Sequence, residues 1–267
     1  MKRRHHWLNI ICLGFGIGFV GVTLWYWRRA QPPAPDSELA DVPLLPIQQA
    51  TAASVAPTPV KAEAGEQVNN PKVLLPKKLN LSVPFTSQAP EKKWVQPWED
   101  ACEEAAVLML DAYYKGYNLS PLFAKDEMLK MVKWQDAKGW GYSITLERVK
   151  ELLTWYSGKR IGNQAHSHVR IVENPTVDDI KQFIAKRVPV YVVAYGKALP
   201  NPHFRDGGPN YHALIIRGYT EDKFITNDPG TQFGQNFTYK YDVLMNAIHD
   251  WNGGDVKHGP KAVLVIE

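Results

Sequence analysis

Residues 79–267 of this sequence predict an α+β domain with a mostly antiparallel sheet, and three observations carry the prediction. Helical periodicity is concentrated before Pro189, and β-rich runs bounded by Gly, Pro, Asn and Asp follow it. No regular strand–helix alternation of the doubly wound kind links them. With 267 residues and 45% hydrophobic content, the chain can build one large or two small cores, which excludes a wholly disordered protein.

The first element is a run from Trp7 to Trp27, WLNIICLGFGIGFVGVTLWYW, 21 residues without a charge. At about 1.5 Å per residue such a helix crosses a hydrocarbon layer of roughly 30 Å. Trp7 at one end and Trp25, Tyr26 and Trp27 at the other suit the two interfaces, flanked by Lys2, Arg3, Arg4 and by Arg28, Arg29. The small excess of cations before the run favours an inside N-terminus, so residues 1–29 are expected to be a cytoplasmic stub and single-pass anchor. The competing reading is a cleaved signal peptide, but the run exceeds the usual ~7–15 apolar residues and ends in bulky aromatics, which favours an uncleaved anchor. From Ala30 to Lys78 the chain turns to Pro, Ala, Glu, Gln and Val, with nine of the 20 prolines. A linker of this kind averages roughly 35–40 Å end to end. Residues 79–267 are then an extracytoplasmic domain at the cell membrane.

Within that domain LNLSVPF (Leu79–Phe85) reads as a short strand. Asp100 with Glu103 three residues on has capping-box form, and Ala105, Leu108, Met109 and Ala112 give the helix that follows a buried face. Further helices are predicted from Ser120-Pro121 to about Ala137, from Thr145 to about Tyr156, from Thr176 with Asp179, and over Tyr241–Trp251. Strands are predicted over Val190–Tyr195, His212–Thr220, Lys223–Asp228 and Ala262–Glu267.

The charge is uneven. Asn80–Glu267 holds 22 Lys/Arg against 22 Asp/Glu, so the net +4 lies in the first 79 residues. A domain so balanced is a poor general nucleic-acid binder. Cys12 sits in the apolar run and Cys102 in the domain, leaving Cys102 a lone thiol. His166 and His168 lack the partners of a zinc pattern, and no cofactor motif occurs.

With Asp100 as N-cap, Cys102 falls at N2, where free backbone amides and the helix dipole favour a thiolate. The dipole supplies about 0.3–1 kcal/mol, whereas lowering a thiol pKa by three units needs about 4 kcal/mol. Glu99, Asp100, Glu103 and Glu104 oppose the shift, partly screened as exposed carboxylates. A cationic partner is therefore required. His212 opens one predicted strand and Asp228 closes the next, so a hairpin with its turn near Thr220 sets them opposite each other. A carboxylate there holds one imidazole nitrogen while the other pairs with Cys102, giving nucleophile, base and orienter. Taken singly, each residue has an ordinary structural reading: Cys102 as a small core residue, His212 as a strand end, Asp228 as a turn residue. Their joint placement favours catalysis.

At this point the sequence resembles the papain-like cysteine peptidases, and within them the bacteriocin-leader (double-glycine) peptidase-like family. The resemblance runs from about Leu81 to Glu267 and rests on VPFTSQAP, WEDACEEAAVLML, VPVYVVAYG, YHALIIRGY and DPG in the family's order. It implies N-terminal helices, a central nucleophile helix and an antiparallel sheet, with Cys102 as nucleophile, His212 as general base and Asp228 as its orienting residue. It further implies a glutamine serving the oxyanion. Gln88 suits the sequence context of looser family members and Gln96 the spacing of stricter ones; Gln88 is favoured. The family commonly has Gly after its Cys, where this chain has Glu103-Glu104.

The reading is a membrane-anchored cysteine peptidase that takes a peptide or protein substrate and needs no cofactor. Two alternatives share its features: an amide hydrolase acting on peptidoglycan peptides, and an inactive surface binding module. Trp94, Trp98, Trp140 and His203 are candidate cleft residues, with Gly207 and Gly208 in a candidate lid.

Overall fold

The computed structural model describes residues 39, 41–46, 75–158 and 168–267. In chain order its elements are β1 (Leu44–Leu45), β2 (Leu79–Leu81), α1 (Cys102–Lys115), α2 (Pro121–Lys138), α3 (Leu146–Ser157), β3 (Val169–Glu173), α4 (Val177–Ala185), β4 (Val190–Ala194), β5 (His212–Tyr219), β6 (Lys223–Asn227), β7 (Gln235–Lys240), α5 (Tyr241–Ala247) and β8 (Ala262–Ile266). Among these residues no helix is long and apolar enough to cross a membrane, and the expected anchor at 7–27 lies outside them.

Helix α1 is buried from Cys102 to Tyr113, as a helix enclosed on all sides must be. It lies against β4 and β5 and is covered by α2 and α3. Its start differs from the sequence expectation: Ala101 is the N-cap and makes no side-chain cap, so Cys102 is the first helical residue. The Asp100–Glu103 capping box does not form, because the Glu103 carboxylate turns inward and Asp100 takes a hydrogen bond from Gln96. The other caps follow local chemistry. Ser120 accepts from the Phe123 amide ahead of Pro121, Thr145 from Arg148, and Thr176 with Asp179 forms a full capping box.

The sheet runs β1-β2-β5-β4-β8-β3, with β6 and then β7 branching from β5. All pairs are antiparallel except β1 with β2. Strands β4 and β2 lie end to end along one edge of β5, and β6 along the other. Strand β1 comes from the stretch read as linker. β3 and β7 were not expected; both are only partly buried and lack a strong apolar alternation. α5 stops at Ala247, short of the expected Trp251. The Ala247 carbonyl accepts from Tyr195, and Ile248 bridges to Ala194, so the chain leaves the helix to extend the edge of β4.

Arg217 on β5 is buried among acceptors only: Asn80 Oδ1, Asn227 Oδ1 and the carbonyls of Leu81 and Val83. Burial lowers its pKa to about 10, and its fork ties the segment after β2 to the sheet.

Candidate active site

Cys102 begins α1, and α1 packs on β5, the strand that His212 opens. The backbone of Ala213, next to His212, makes a hydrogen bond with the Cys102 sulfur. His212 is fully buried, and its Nε2 stands 2.7 Å from Asp228 Oδ1. The pairing survives a register that the symmetric hairpin did not foresee. A bulge between Ile216 and Gly218 sets Ile215 against Asn227, so the position opposite His212 is near residue 230. The loop after β6 folds back, with the Asp228 amide donating to the Gly234 carbonyl, and returns Asp228 to the imidazole.

Asp228 is held from every side. The Gly230 amide donates to Oδ1 at 3.0 Å, and Oδ2 accepts from the Tyr239 hydroxyl at 2.6 Å and Asn201 Nδ2 at 3.2 Å. Burial pushes its carboxyl up, but the charge and hydrogen bond of His212, with the Tyr239 and Gly230 donors, outweigh burial and bring it below the usual carboxylate value. Tyr239 and Asn201 carried no signal in the sequence, since a strand tyrosine and a loop asparagine are unremarkable until the fold brings them together.

Gln88 and Cys102 line one cleft of about 310 Å³, with Trp94, Phe204, Arg205 and Gly230 among its walls. The same loop that carries Asp228 places Gln88, whose amide donates to the Pro229 carbonyl. Its Nε2 donates to the Trp98 and Glu99 carbonyls at 3.0 and 2.8 Å, while its Oε1 is buried and unpaired among the described residues. Gln96 is exposed and bonded to Asp100. Of the other candidates, Trp94 and Gly208 line this cleft, whereas Trp140 packs on Trp134 and His203 on Phe233. His166 lies outside the described residues.

The expectation of a thiolate favoured at the helix start is not met. Burial pushes the Cys102 thiol well above its usual pKa, the Glu103 charge and hydrogen bond add to this, and only the Ala213 backbone acts against it. The expectation of screened carboxylates fails for the same reason. Glu103 and Glu104 are 1% and 3% exposed, and the thiol donates to Glu103 Oε2 at 2.9 Å. Among the described residues no group of three or more His, Cys, Asp or Glu is arranged to hold a metal.

The family model described as "Peptidase_C39 like family" matches residues 80–253, a span that includes Cys102, His212 and Asp228. No curated protein matches the chain. A solved structure of a proposed C39-like peptidase from Bacillus anthracis is a distant likeness, 12% identical with a TM-score of 0.46, covering 72% of this chain and 98% of that one. The family match spans well over half of the sequence, and the chain belongs to the Peptidase_C39-like family of cysteine peptidases.

Proposed function

We propose that this peptidase is anchored by residues 7–27 and hydrolyses a peptide bond outside the cytoplasm through a Cys102 thioester. The observation that carries the reading is the buried His212–Asp228 pair, set one residue from the Ala213 backbone that bonds the Cys102 sulfur. Cys102 Sγ adds to the substrate carbonyl carbon as His212 Nδ1 takes its proton. Asp228, on Nε2, fixes the tautomer and steadies the imidazolium. The oxyanion takes a hydrogen bond from the Cys102 backbone amide, at a helix start where amides lack helical acceptors, and from Gln88 Nε2, which exchanges the Glu99 carbonyl for it. Collapse breaks the C–N bond and passes the imidazolium proton to the leaving amine. Water, giving a proton to His212, then cleaves the thioester and the thiol is restored.

The substrate is a peptide or protein. The tether is the segment between the anchor and β1, because β1 already belongs to the sheet, and it holds the domain within reach of surface proteins and of cell-wall peptides. The test is hydrolysis of a peptide library and of isolated walls by the full-length protein, wild type against Cys102→Ala, with and without iodoacetamide. Loss of cleavage with either treatment is expected, and a Cys102→Ala protein as active as wild type overturns the nucleophile. Muropeptide release without peptide cleavage selects the wall substrate, and ligand binding with a thiol inert at every pH selects the binding module. Release of the domain by protease treatment of intact cells checks the orientation.

A further inference from the structure

The S–H hydrogen of Cys102 is directed at Glu103 Oε2. His212 Nδ1, the ring nitrogen not taken by Asp228, is buried without a hydrogen-bond partner among the described residues. The thiol proton is thus committed to a carboxylate and not to the base. We propose that Glu103 is a positioning residue that sets the pH at which Cys102 is armed: as a carboxylate it holds the thiol protonated, and as a carboxylic acid it frees the sulfur to pair with His212. This rests on the reading of Cys102 as nucleophile and His212 as base.

The surroundings of Glu103 make it suited to that role. Its second oxygen accepts a long hydrogen bond from the Ile144 amide at 3.3 Å, and its own backbone amide also acts on the carboxylate. On its own helix stand Cys102 and the buried Glu104, whose Oε1 is bonded by Gln135 of α2 and whose Oε2 is buried without a partner among the described residues. From β4 the Tyr191 hydroxyl donates to the Glu103 carbonyl oxygen at 3.3 Å. Tyr211, ahead of β5, and Asp250, after α5, add a phenol and a further carboxylate that is bonded by the Leu146 amide. Asp100, in the turn before α1, acts on Glu104. His212 is the basic side chain that faces these acids. A carboxylate so buried and so surrounded by like charge holds its proton to higher pH than an exposed one. Burial raises Glu103 to about 7, against the hydrogen bonds from Cys102 and from the Ile144 amide and the attraction of His212.

The direction follows. Above about pH 7 Glu103 is charged, repels a thiolate and keeps the S–H bond. Below it Glu103 is neutral, that penalty disappears, and the proton passes from Sγ to His212 Nδ1: the S–H bond breaks and an N–H bond forms. The thiolate–imidazolium pair is therefore favoured as pH falls through neutrality, the reverse of a free thiol.

The test is the rate of Cys102 alkylation by iodoacetamide across pH 5–9 in the full-length protein, read by mass spectrometry alongside peptide hydrolysis. Wild type is expected to alkylate faster as pH falls through about 7. Glu103→Gln, which keeps the shape and removes the charge, is expected to lose that limb and alkylate about tenfold faster than wild type at pH 8, where about nine tenths of Glu103 is charged. Glu103→Asp is expected to restore a pH limb. A wild-type rate that simply climbs with pH overturns the proposal without any variant, as does a folded Glu103→Gln protein whose profile overlays wild type. If alkylation follows the expected pattern while no peptide is cleaved, the gate stands and the proposed activity fails. If Cys102-dependent cleavage occurs with unchanged profiles, the gate alone fails.

Discussion

His212 Nε2 and Asp228 Oδ1 stand 2.7 Å apart with both side chains fully shielded from solvent, across a strand register that does not oppose them. The pair exists because the loop after β6 turns back on Gly234 and because Tyr239 and Asn201 hold the second carboxylate oxygen. With Nε2 taken by Asp228, the protonated nitrogen is fixed and Nδ1 is left as the acceptor for a thiol proton.

Asp228→Asn should therefore lower kcat/KM by about two to four orders of magnitude, since an amide donating to Nε2 selects the wrong tautomer. Peptide hydrolysis by a variant whose circular dichroism matches wild type checks this. Wild-type rates from that variant would exclude Asp228 as orienter.

Tyr239→Phe removes the 2.6 Å donor to Asp228 and should cost roughly 1.5–3 kcal/mol of stability, as for other hydrogen bonds to charged groups. The pH dependence has a definite sign. Asp228 is held below its usual pKa, so its contribution is fully present above about pH 4 and is lost as pH falls through the lowered value. With the hydroxyl gone the lowering is smaller, and the acid-unfolding midpoint, followed by tryptophan fluorescence, should move to higher pH.

Two glycines in one loop should separate activity from stability. A Cβ on Gly230 would lie 2.8 Å from His212 Cε1 and from Phe204 Cε1, so Gly230→Ala should displace the imidazole or the ring over it and lower kcat/KM about tenfold. A Cβ on Gly234 would lie 1.7 Å from the Asp228 carbonyl oxygen, which is backbone and has no room to move. Gly234→Ala should cost roughly 1–3 kcal/mol or more, in the range of overpacked cores, and show as a lower Tm.

Arg217→Leu leaves Asn80 Oδ1 without its donor and takes one of two donors from Asn227 Oδ1 and from the carbonyls of Leu81 and Val83, which keep the Asn236 amide, the Val83 amide and Asn227 Nδ2 respectively. At about 1–3 kcal/mol for the one buried acceptor left unpaired, the net loss should reach about 1–3 kcal/mol by urea unfolding. A change under about 1 kcal/mol would mean that these acceptors find water or other donors.

Features set by hydrogen bonds within four residues were legible before the fold was known. The caps at Ser120, Thr145 and Thr176 are of this kind, because the donor and acceptor are neighbours in sequence whatever the rest of the chain does. The order Cys102, His212, Asp228 and the motifs around it were equally open to reading, whereas the position of the two glutamines was not: Gln88 lines the cleft with Cys102 and Gln96 is exposed. The direction in which Glu103 points was not. Whether that side chain caps a helix or turns under the sulfur depends on α2, α3 and β4 closing over α1, and with it the expected thiolate became a protonated thiol. The bulge in β5 and the turn-back of the Asp228 loop belong to the same class, as does the early end of α5 on the edge of β4. Each is decided by groups far apart in the chain competing for one buried hydrogen bond, and only their packing in three dimensions sets which of them obtains it.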